Sequence, residues 1–206
     1  MNPKEIPEVV NQFEIRYSEK EYLEMPDELV WASFNKGNEA TFNFLYKSFA
    51  ASLFAFGYQF CGDAHLVEDC IQNLFIYIRK RRGHLGEVHS IKSYLFKSLR
   101  CEITKRLKER GLLVDADQMQ YAEAFSIALS PETILIESES RERTQEKVNQ
   151  ALSQLTVRQR QALQLLYEEE MSYSQISEVM GFTEVKSARK LVYRALSSLK
   201  EIFLKK

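Results

Sequence analysis

The segment MSYSQISEVMGFTEVKSARKLVYRALSSLK (residues 171–200) contains two short helical patterns separated by one glycine. Ser172 or Ser174 can cap the first helix, and Gly181 can adopt the positive φ angle that commonly ends a helix. In the second helix, apolar residues recur every three or four positions, and basic residues are concentrated in the first half. This pattern predicts a helix-turn-helix, in which the N-terminal part of the second helix enters the major groove of DNA.

The polar and basic residues of this second helix form the first candidate site. The alternative interpretation is a solvated basic face on an ordinary packed helix. The glycine, the caps and an excess of 7 basic over 2 acidic residues in 181–206 favour DNA binding. The candidate DNA-binding residues are Lys186, Ser187, Arg189, Lys190 and Arg194.

Composition predicts the fold class of the whole chain. Its 206 residues suffice for one large domain or two small ones, and only 7 Gly and 4 Pro favour long helices over a turn-rich β fold. No apolar run approaches the roughly 18 residues needed to span a bilayer, and the polar N-terminus does not resemble a secretory signal. We therefore expect an all-α, cytoplasmic protein without membrane insertion.

Charge divides the chain into blocks, although the net charge is only −1. Residues 1–30 and 113–140 carry net charges of −5 and −6, whereas residues 31–112 and 141–206 carry +6 and +4. Basic blocks attract phosphates through Coulomb interaction and counterion release. We expect two small helical bundles joined by a linker, the C-terminal one a helix-turn-helix domain. The predicted boundaries are 1–24 for an acidic N-terminal extension, 25–112 for the first bundle, 113–140 for an acidic linker and 141–206 for the second bundle.

The helix predicted to start after Ser90 is a second candidate DNA-binding element. Residues 79–110 hold 11 basic and 3 acidic residues, with Tyr94 and Phe96 interleaved. Aromatic rings beside cations suit single-stranded or distorted DNA. However, Tyr94 also fits the core spacing, and a basic run before Gly83 suits any helix C-terminus, so the residues alone leave both interpretations open. The basic residues of this face are Lys92, Lys97, Arg100, Lys105, Arg106 and Lys108.

A polar edge is predicted on the preceding helix, in the motif EDCIQNL. Residues four apart on a helix share an edge, so the polar residues of this motif form a continuous strip. The strip is either a hydrated surface or a surface that docks another protein. Its members are Asp69, Gln72, Asn73, Ile76 and Tyr77.

The residues give little support for an enzyme, a metal site or a cofactor. The histidines form no HExxH pattern, and the sequence contains no P-loop and no nucleophile elbow. Three cysteines without a CxxC pair suit a reducing compartment, and we expect small thiols in or near cores. They are Cys61, Cys70 and Cys101.

Taken together, these segments resemble a known family. In chain order, the supporting motifs are FNKGNEATFNFLYKSFAASLFAFGYQFCGDAHLVEDCIQNLF, IKSYLFKSLR, ALSQLTVRQRQALQLLYEEEMSYSQISEVMGF and YRAL. Their order and separations are similar to those of the extracytoplasmic-function (ECF, group 4) sigma factors of bacterial RNA polymerase, within the sigma-70 family. The resemblance covers about residues 30–110 and 145–200.

The resemblance implies a function for each bundle. Region 2, here 25–112, would bind the promoter −10 element and the clamp helices of core polymerase, with loop 83–90 receiving a flipped base. Region 4, here 141–206, would bind the −35 element and the polymerase flap. The linker would thread toward the RNA exit path. The implied function is promoter recognition and transcription initiation without catalysis, and an anti-sigma factor is a further expected partner.

The same resemblance implies roles for the candidate residues. The five residues of the helix-turn-helix match the −35 contacts, and the five residues of the polar strip match the core polymerase contacts. The residues that match the −10 contacts are Lys92, Lys97, Arg100, Cys101, Lys105 and Lys108.

Several positions depart from the usual family pattern. Asn73 stands where relatives have Glu, Arg79 where they have Trp, and Cys101 where they have Asn. A thiol cannot make the paired hydrogen bonds of an amide. The recognition helix also matches only with one extra residue before it. These departures define the alternative function, a helix-turn-helix DNA-binding regulator with altered or partner-dependent promoter targeting.

Overall fold

The computed structural model describes residues 17–112 and 151–204, and all regular structure within these ranges is α-helical, as predicted. The predicted linker and the start of the second bundle lie outside the described residues. The N-terminal lobe contains α1 (Glu19–Glu24), α2 (Asp27–Asn35), α3 (Glu39–Cys61), α4 (Ala64–Lys80) and α5 (Ile91–Glu109). The C-terminal lobe contains α6 (Val157–Tyr167), α7 (Tyr173–Met180) and α8 (Val185–Leu204).

Capping side chains determine where most of these helices begin. Asn38, Asp63 and Ser90 each accept a hydrogen bond from the backbone N–H three residues later. Thr156 and Ser172 form reciprocal capping boxes with a glutamine in the first turn of α6 and of α7. Each cap satisfies an N–H group that has no partner inside its helix.

Two glycines allow the turn and the close packing that this fold needs. Gly181 ends α7 with φ of +70°, as predicted, and so lets the chain turn into α8. Gly57 lies inside α3, where an added Cβ would be 2.8 Å from Val67 Cγ1 and 3.0 Å from Ile103 Cδ1. The absence of a side chain at residue 57 therefore lets α3 approach α4 and α5 closely.

The core of the N-terminal lobe is built from aromatic and aliphatic side chains of α2 to α5. Phe34, Leu45, Phe56 and Phe96 are fully buried, and the rings of Phe56 and Phe96 meet edge to face at 5.2 Å. Burial of large apolar side chains of this kind is the main stabilising contribution to such a lobe.

Part of the predicted N-terminal extension belongs to this lobe. The sequence predicts a boundary at residue 24, but α1 lies before it and packs on α3. Tyr22 is buried, its ring stacks on Phe44 at 4.6 Å, and its hydroxyl is 2.9 Å from Thr41 Oγ1. A single aromatic side chain with an apolar ring and a polar tip thus anchors α1 to the core.

The two lobes pack against each other through a shared core. Leu165 of α6 and Ile176, Val179 and Met180 of α7 belong to the same cluster of buried residues as the core of the N-terminal lobe. The two predicted bundles are in contact: α7 packs against both α5 and α8, so its apolar side chains join the lobes. A smaller cluster stabilises the C-terminal lobe itself and consists of Leu155, Ala162, Leu163, Val192 and Ala195.

None of the helices in the described ranges is long and apolar enough to cross a membrane.

Candidate nucleic-acid and partner interfaces

The first half of α8 presents an open basic surface. Val192 and Ala195 are buried in the core of this lobe, and Ala188 is buried in the core shared by the two lobes. The opposite face carries the predicted DNA-binding residues. Ser187 is half-buried, and the exposed members are Lys186, Arg189, Lys190 and Arg194.

One aromatic residue that the sequence did not single out supports this surface. The guanidinium carbon of Arg189 lies 5.2 Å from the centre of the Tyr173 ring, at the start of α7. A cation over an aromatic face is attracted by the negative charge of the ring face. Tyr173 therefore helps to orient Arg189 on the surface of the helix-turn-helix.

The polar strip of α4 is an exposed surface with an apolar end. The buried residues of α4, such as Leu74 and Ile78, face the core, and all five residues of the strip are exposed. Ile76 and Tyr77 remain 48% and 51% exposed, which is unusual for such large apolar side chains in neighbouring positions. An exposed apolar patch rimmed by polar residues is typical of a surface that binds another protein.

The basic face of α5 differs from that of α8, because part of it is covered by the C-terminal lobe. Lys97 Nζ lies 2.9 Å from Glu178 Oε1 of α7. Lys92 Nζ donates to the backbone oxygen of Glu169 at 2.8 Å and lies 3.3 Å from its carboxylate. At the far end of α5, Lys105 and Lys108 are exposed, and Lys105 Nζ lies 4.0 Å from Glu109 Oε1 of the same helix.

Arg100 lies at the same junction and is mostly hidden from solvent. Its guanidinium is 5.9 Å from the ring of Phe60, and a Cβ added to Gly181 would be 3.0 Å from its Nη1. Burial, and then the positive charge of Arg158, lower the pKa of Arg100 from its usual value. Arg100 therefore fills the space under the turn of the helix-turn-helix.

An open cavity of about 550 Å³ lies between the two lobes beside this junction. The residues after Gly86 form one wall, Tyr94, Lys97 and Cys101 of α5 form a second, and α7 closes the third with Gln175 and Glu178. Gln175 Nε2 donates to Ser90 Oγ at 3.1 Å across the cavity edge. The loop expected to receive a flipped base thus faces a cavity that the C-terminal lobe partly encloses.

The cysteines differ in their surroundings. Cys70 is buried, and burial raises its pKa to about 11, so its thiol stays protonated at neutral pH. Cys61 is half-buried, and burial raises its pKa as well. Cys101 is exposed at the cavity, rather than near a core as its residue type suggested.

Comparison with known proteins bears on both lobes. Residues 145–199 match the family model for sigma-70 region 4. No curated protein sequence matches the chain.

Two solved structures share the fold. The structure of CnrH in complex with the cytosolic domain of CnrY superimposes with a TM-score of 0.57 at 16% identity, over 87% of this chain and 97% of that one. The sigma factor RpoE of Bartonella quintana, solved with the anti-sigma factor NepR, has a TM-score of 0.54 at 20% identity, over 77% of this chain and 93% of that one. At these identities, the likeness concerns the fold.

The described residues thus form a two-lobed helical protein with a helix-turn-helix in its C-terminal lobe. Residues 145–199 are similar to sigma-70 region 4, and the described chain shares its fold with the solved sigma factor RpoE.

Proposed function

We propose that this protein is an ECF-type sigma factor of the sigma-70 family that binds core RNA polymerase in the cytoplasm, recognises the −35 and −10 elements of promoters and promotes transcription initiation. The observation that carries the proposal is the open basic half of α8, which lies within the segment that matches sigma-70 region 4. The protein needs no catalytic residue for this function, since binding to unstacked bases supplies the free energy for local melting.

The C-terminal lobe is proposed to bind the −35 element. Arg189 and Lys190 are exposed near the start of α8, where a recognition helix contacts base edges. Lys186 and Arg194 flank them and can contact phosphates, which position the protein without reading sequence. Ser187 is half-buried beside them and can donate its hydroxyl to a phosphate.

The strip of α4 is proposed to bind the clamp helices of core polymerase. Exposed Ile76 and Tyr77 supply apolar contact area, and the neighbouring side chains of Asp69, Gln72 and Asn73 supply directional hydrogen bonds. The C-terminal lobe is proposed to bind the flap.

The packing of the lobes limits access of the −10 element to α5. Lys92 and Lys97 are engaged by Glu169 and Glu178, and α7 covers the face of α5 that holds Arg100. We propose that DNA reaches this face, including Cys101, when the lobes separate, whereas Lys105 and Lys108 are open in either arrangement. An anti-sigma factor is a proposed partner, since the solved sigma factor RpoE was captured with one.

Transcription from a randomised promoter library, with purified core polymerase and the full chain, tests the proposed function. The expected result is enrichment of promoters that share two short sequence elements, one in the −35 region and one in the −10 region, at a constant separation. Failure of the chain to associate with core polymerase, or failure to enrich any element, would refute the proposal. Specific DNA binding without polymerase association would support the alternative, a helix-turn-helix regulator.

A variant of the strip separates the polymerase contact from the fold. Tyr77→Ala is expected to weaken association with core polymerase because it removes exposed apolar area. The helical content measured by circular dichroism should stay unchanged. Leu29→Ala, another exposed apolar residue on a different helix of the same lobe, is the matched control.

A further inference from the structure

The loop of residues 81–90, between α4 and α5, is held by one face of α2. Asp27, Trp31 and Asn35 follow one another at four-residue steps along α2, so their side chains lie on the same edge of the helix. We refer to these three residues as the α2 edge. All three hydrogen-bond to the backbone of the loop or of its boundary with α5.

The contacts of the α2 edge are distributed along the loop. Asn35 accepts from the backbone N–H of Gly83 at 3.0 Å and donates to the backbone oxygen of Leu85 at 3.0 Å. Trp31 Nε1 donates to the backbone oxygen of Gly86 at 2.9 Å. Asp27 Oδ2 accepts from the N–H of Ile91, the first residue of α5, at 2.8 Å.

These bonds add to the packing of Leu85 and Val88 against the core and restrict the glycine-containing part of the loop. Gly83 has φ of +76°, and an added Cβ at Gly83 or Gly86 would meet no atom within 4 Å, so the loop has open space around it. A glycine-containing loop samples many conformations unless other groups hold its backbone. Four hydrogen bonds from a rigid helix reduce this freedom at four separate points.

Trp31, the central residue of the α2 edge, is held rigidly by its packing. Trp31 is 2% exposed, and its ring packs against Phe34 at 5.2 Å and edge to face against Tyr94 at 5.1 Å. Tyr94 in turn lines the cavity between the lobes. The indole of Trp31 therefore connects the backbone of the loop on one side with a wall of the cavity on the other.

We propose that Asp27, Trp31 and Asn35 are positioning residues for promoter recognition: by fixing the backbone of residues 83–91, they set which base of the −10 element the loop and the neighbouring face of α5 accept when the lobes separate. This inference rests on the proposed function. The side chains of the α2 edge hydrogen-bond to backbone atoms of the loop and of Ile91. Glu87, Val88 and His89 of the same loop line the cavity. A preorganised site discriminates between ligands better than a mobile one, because the wrong ligand cannot be accommodated by rearrangement.

Two variants remove hydrogen bonds of the α2 edge and keep most of the packing. Trp31→Phe deletes the indole N–H and retains an aromatic ring in the core. Asn35→Ala deletes both contacts of a half-buried side chain, whose backbone partners can be rehydrated. Leu29→Ala, an exposed position on another side of α2, is the control.

The experiment uses holoenzyme assembled from core polymerase and the full chain. Promoter opening is followed with a fluorescent base analogue on the selected promoter and on promoters that carry each single-base change in the −10 element. We expect each variant to lower the ratio of opening on the best base to opening on the others by about three- to tenfold, the factor that corresponds to one or two hydrogen bonds. Association with core polymerase and affinity for a −35 duplex should match those of Leu29→Ala.

The outcomes distinguish the inference from the proposed function. Loss of base discrimination with −35 binding and polymerase association intact supports the inference, because a merely structural role would weaken opening equally on every base. Unchanged discrimination in both variants overturns it. If Trp31→Phe unfolds, Asn35→Ala alone decides the question. If the unmodified chain opens no promoter, the proposed function fails, and the inference fails with it.

Discussion

The basic faces of α5 and α8 look alike in the sequence and differ in the folded protein. Both helices carry lysines and arginines opposite an apolar stripe. On α8 the basic residues Lys186, Arg189, Lys190 and Arg194 remain exposed, whereas on α5 two lysines contact acidic residues of the other lobe and Arg100 is mostly buried. A count of basic residues thus identifies cations that could bind DNA, but only the packing of the lobes identifies those that are available to it.

The largest expected effect concerns the open face. Arg189→Ala should weaken binding to a −35 duplex by about 1–3 kcal/mol if its guanidinium reaches a base edge. Lys200→Ala, an exposed cation on the second half of α8, is the control and should cost much less. Fluorescence anisotropy at fixed salt measures both. Equal losses in the two variants would mean that α8 attracts DNA only through its overall charge, and the contrast with α5 would lose its basis.

A smaller effect, on the free energy of unfolding, is expected where Arg100 of α5 meets the turn before α8. Gly181→Ala forces a side chain into a position with φ of +70° and places its Cβ 3.0 Å from Arg100 Nη1. The left-handed conformation costs about 1–2 kcal/mol, and the free energy of unfolding should fall by about this much. Chemical denaturation followed by circular dichroism provides the measurement.

Gly111→Ala is the matched control for that change. Its φ is +68°, but an added Cβ there would meet no atom within 4 Å. A larger loss of stability for Gly181→Ala than for Gly111→Ala would isolate the contribution of Arg100. Equal losses would show that the arginine moves aside without cost.

The smallest expected effect concerns the covered face. Glu178→Gln removes the charge that engages Lys97, in an ion pair whose side chains are about half exposed. Such pairs contribute about 0.2–1 kcal/mol, so the equilibrium should shift toward separated lobes by up to about fivefold. Fluorescence energy transfer between labels on the two lobes would report the shift. Binding of single-stranded −10 DNA should rise in parallel.

Glu201→Gln, an exposed charge change on α8, controls for the altered net charge of that variant. If Glu178→Gln leaves both the lobe distance and −10 binding equal to those of Glu201→Gln, the ion pair does not restrict access to α5. The difference between the two basic faces would then rest on apolar packing alone.

Much of the local structure could be predicted, because it depends on short-range patterns. The caps at Ser90 and Ser172 and the helix end at Gly181 follow from residue type at a helix boundary, and each is observed. The exposure of the α4 strip follows from helical periodicity. The roles of these residues in binding stay predictions.

Other features could not be predicted because they depend on residues far apart in the chain. The hydrogen bond from Gln59 to Gln164 joins positions 105 residues apart, and no local pattern marks either one. Trp31 is buried in the core, yet its indole also holds the loop 55 residues later. The placement of α1 in the first lobe likewise depends on the contact of Tyr22 with Thr41.

The sequence by itself determined that this protein is helical, that it carries a helix-turn-helix near its C-terminus and that it resembles ECF sigma factors, since periodicity, capping and motif order are properties of the chain. Only the tertiary structure decided that the lobes share a core, that Lys92 and Lys97 contact acidic residues of the other lobe, and that α2 holds the loop after α4. The physical reason is that a charge or a hydrogen-bond donor acquires its partner only when distant segments meet. Partners of this kind decide which of the basic side chains are open to DNA.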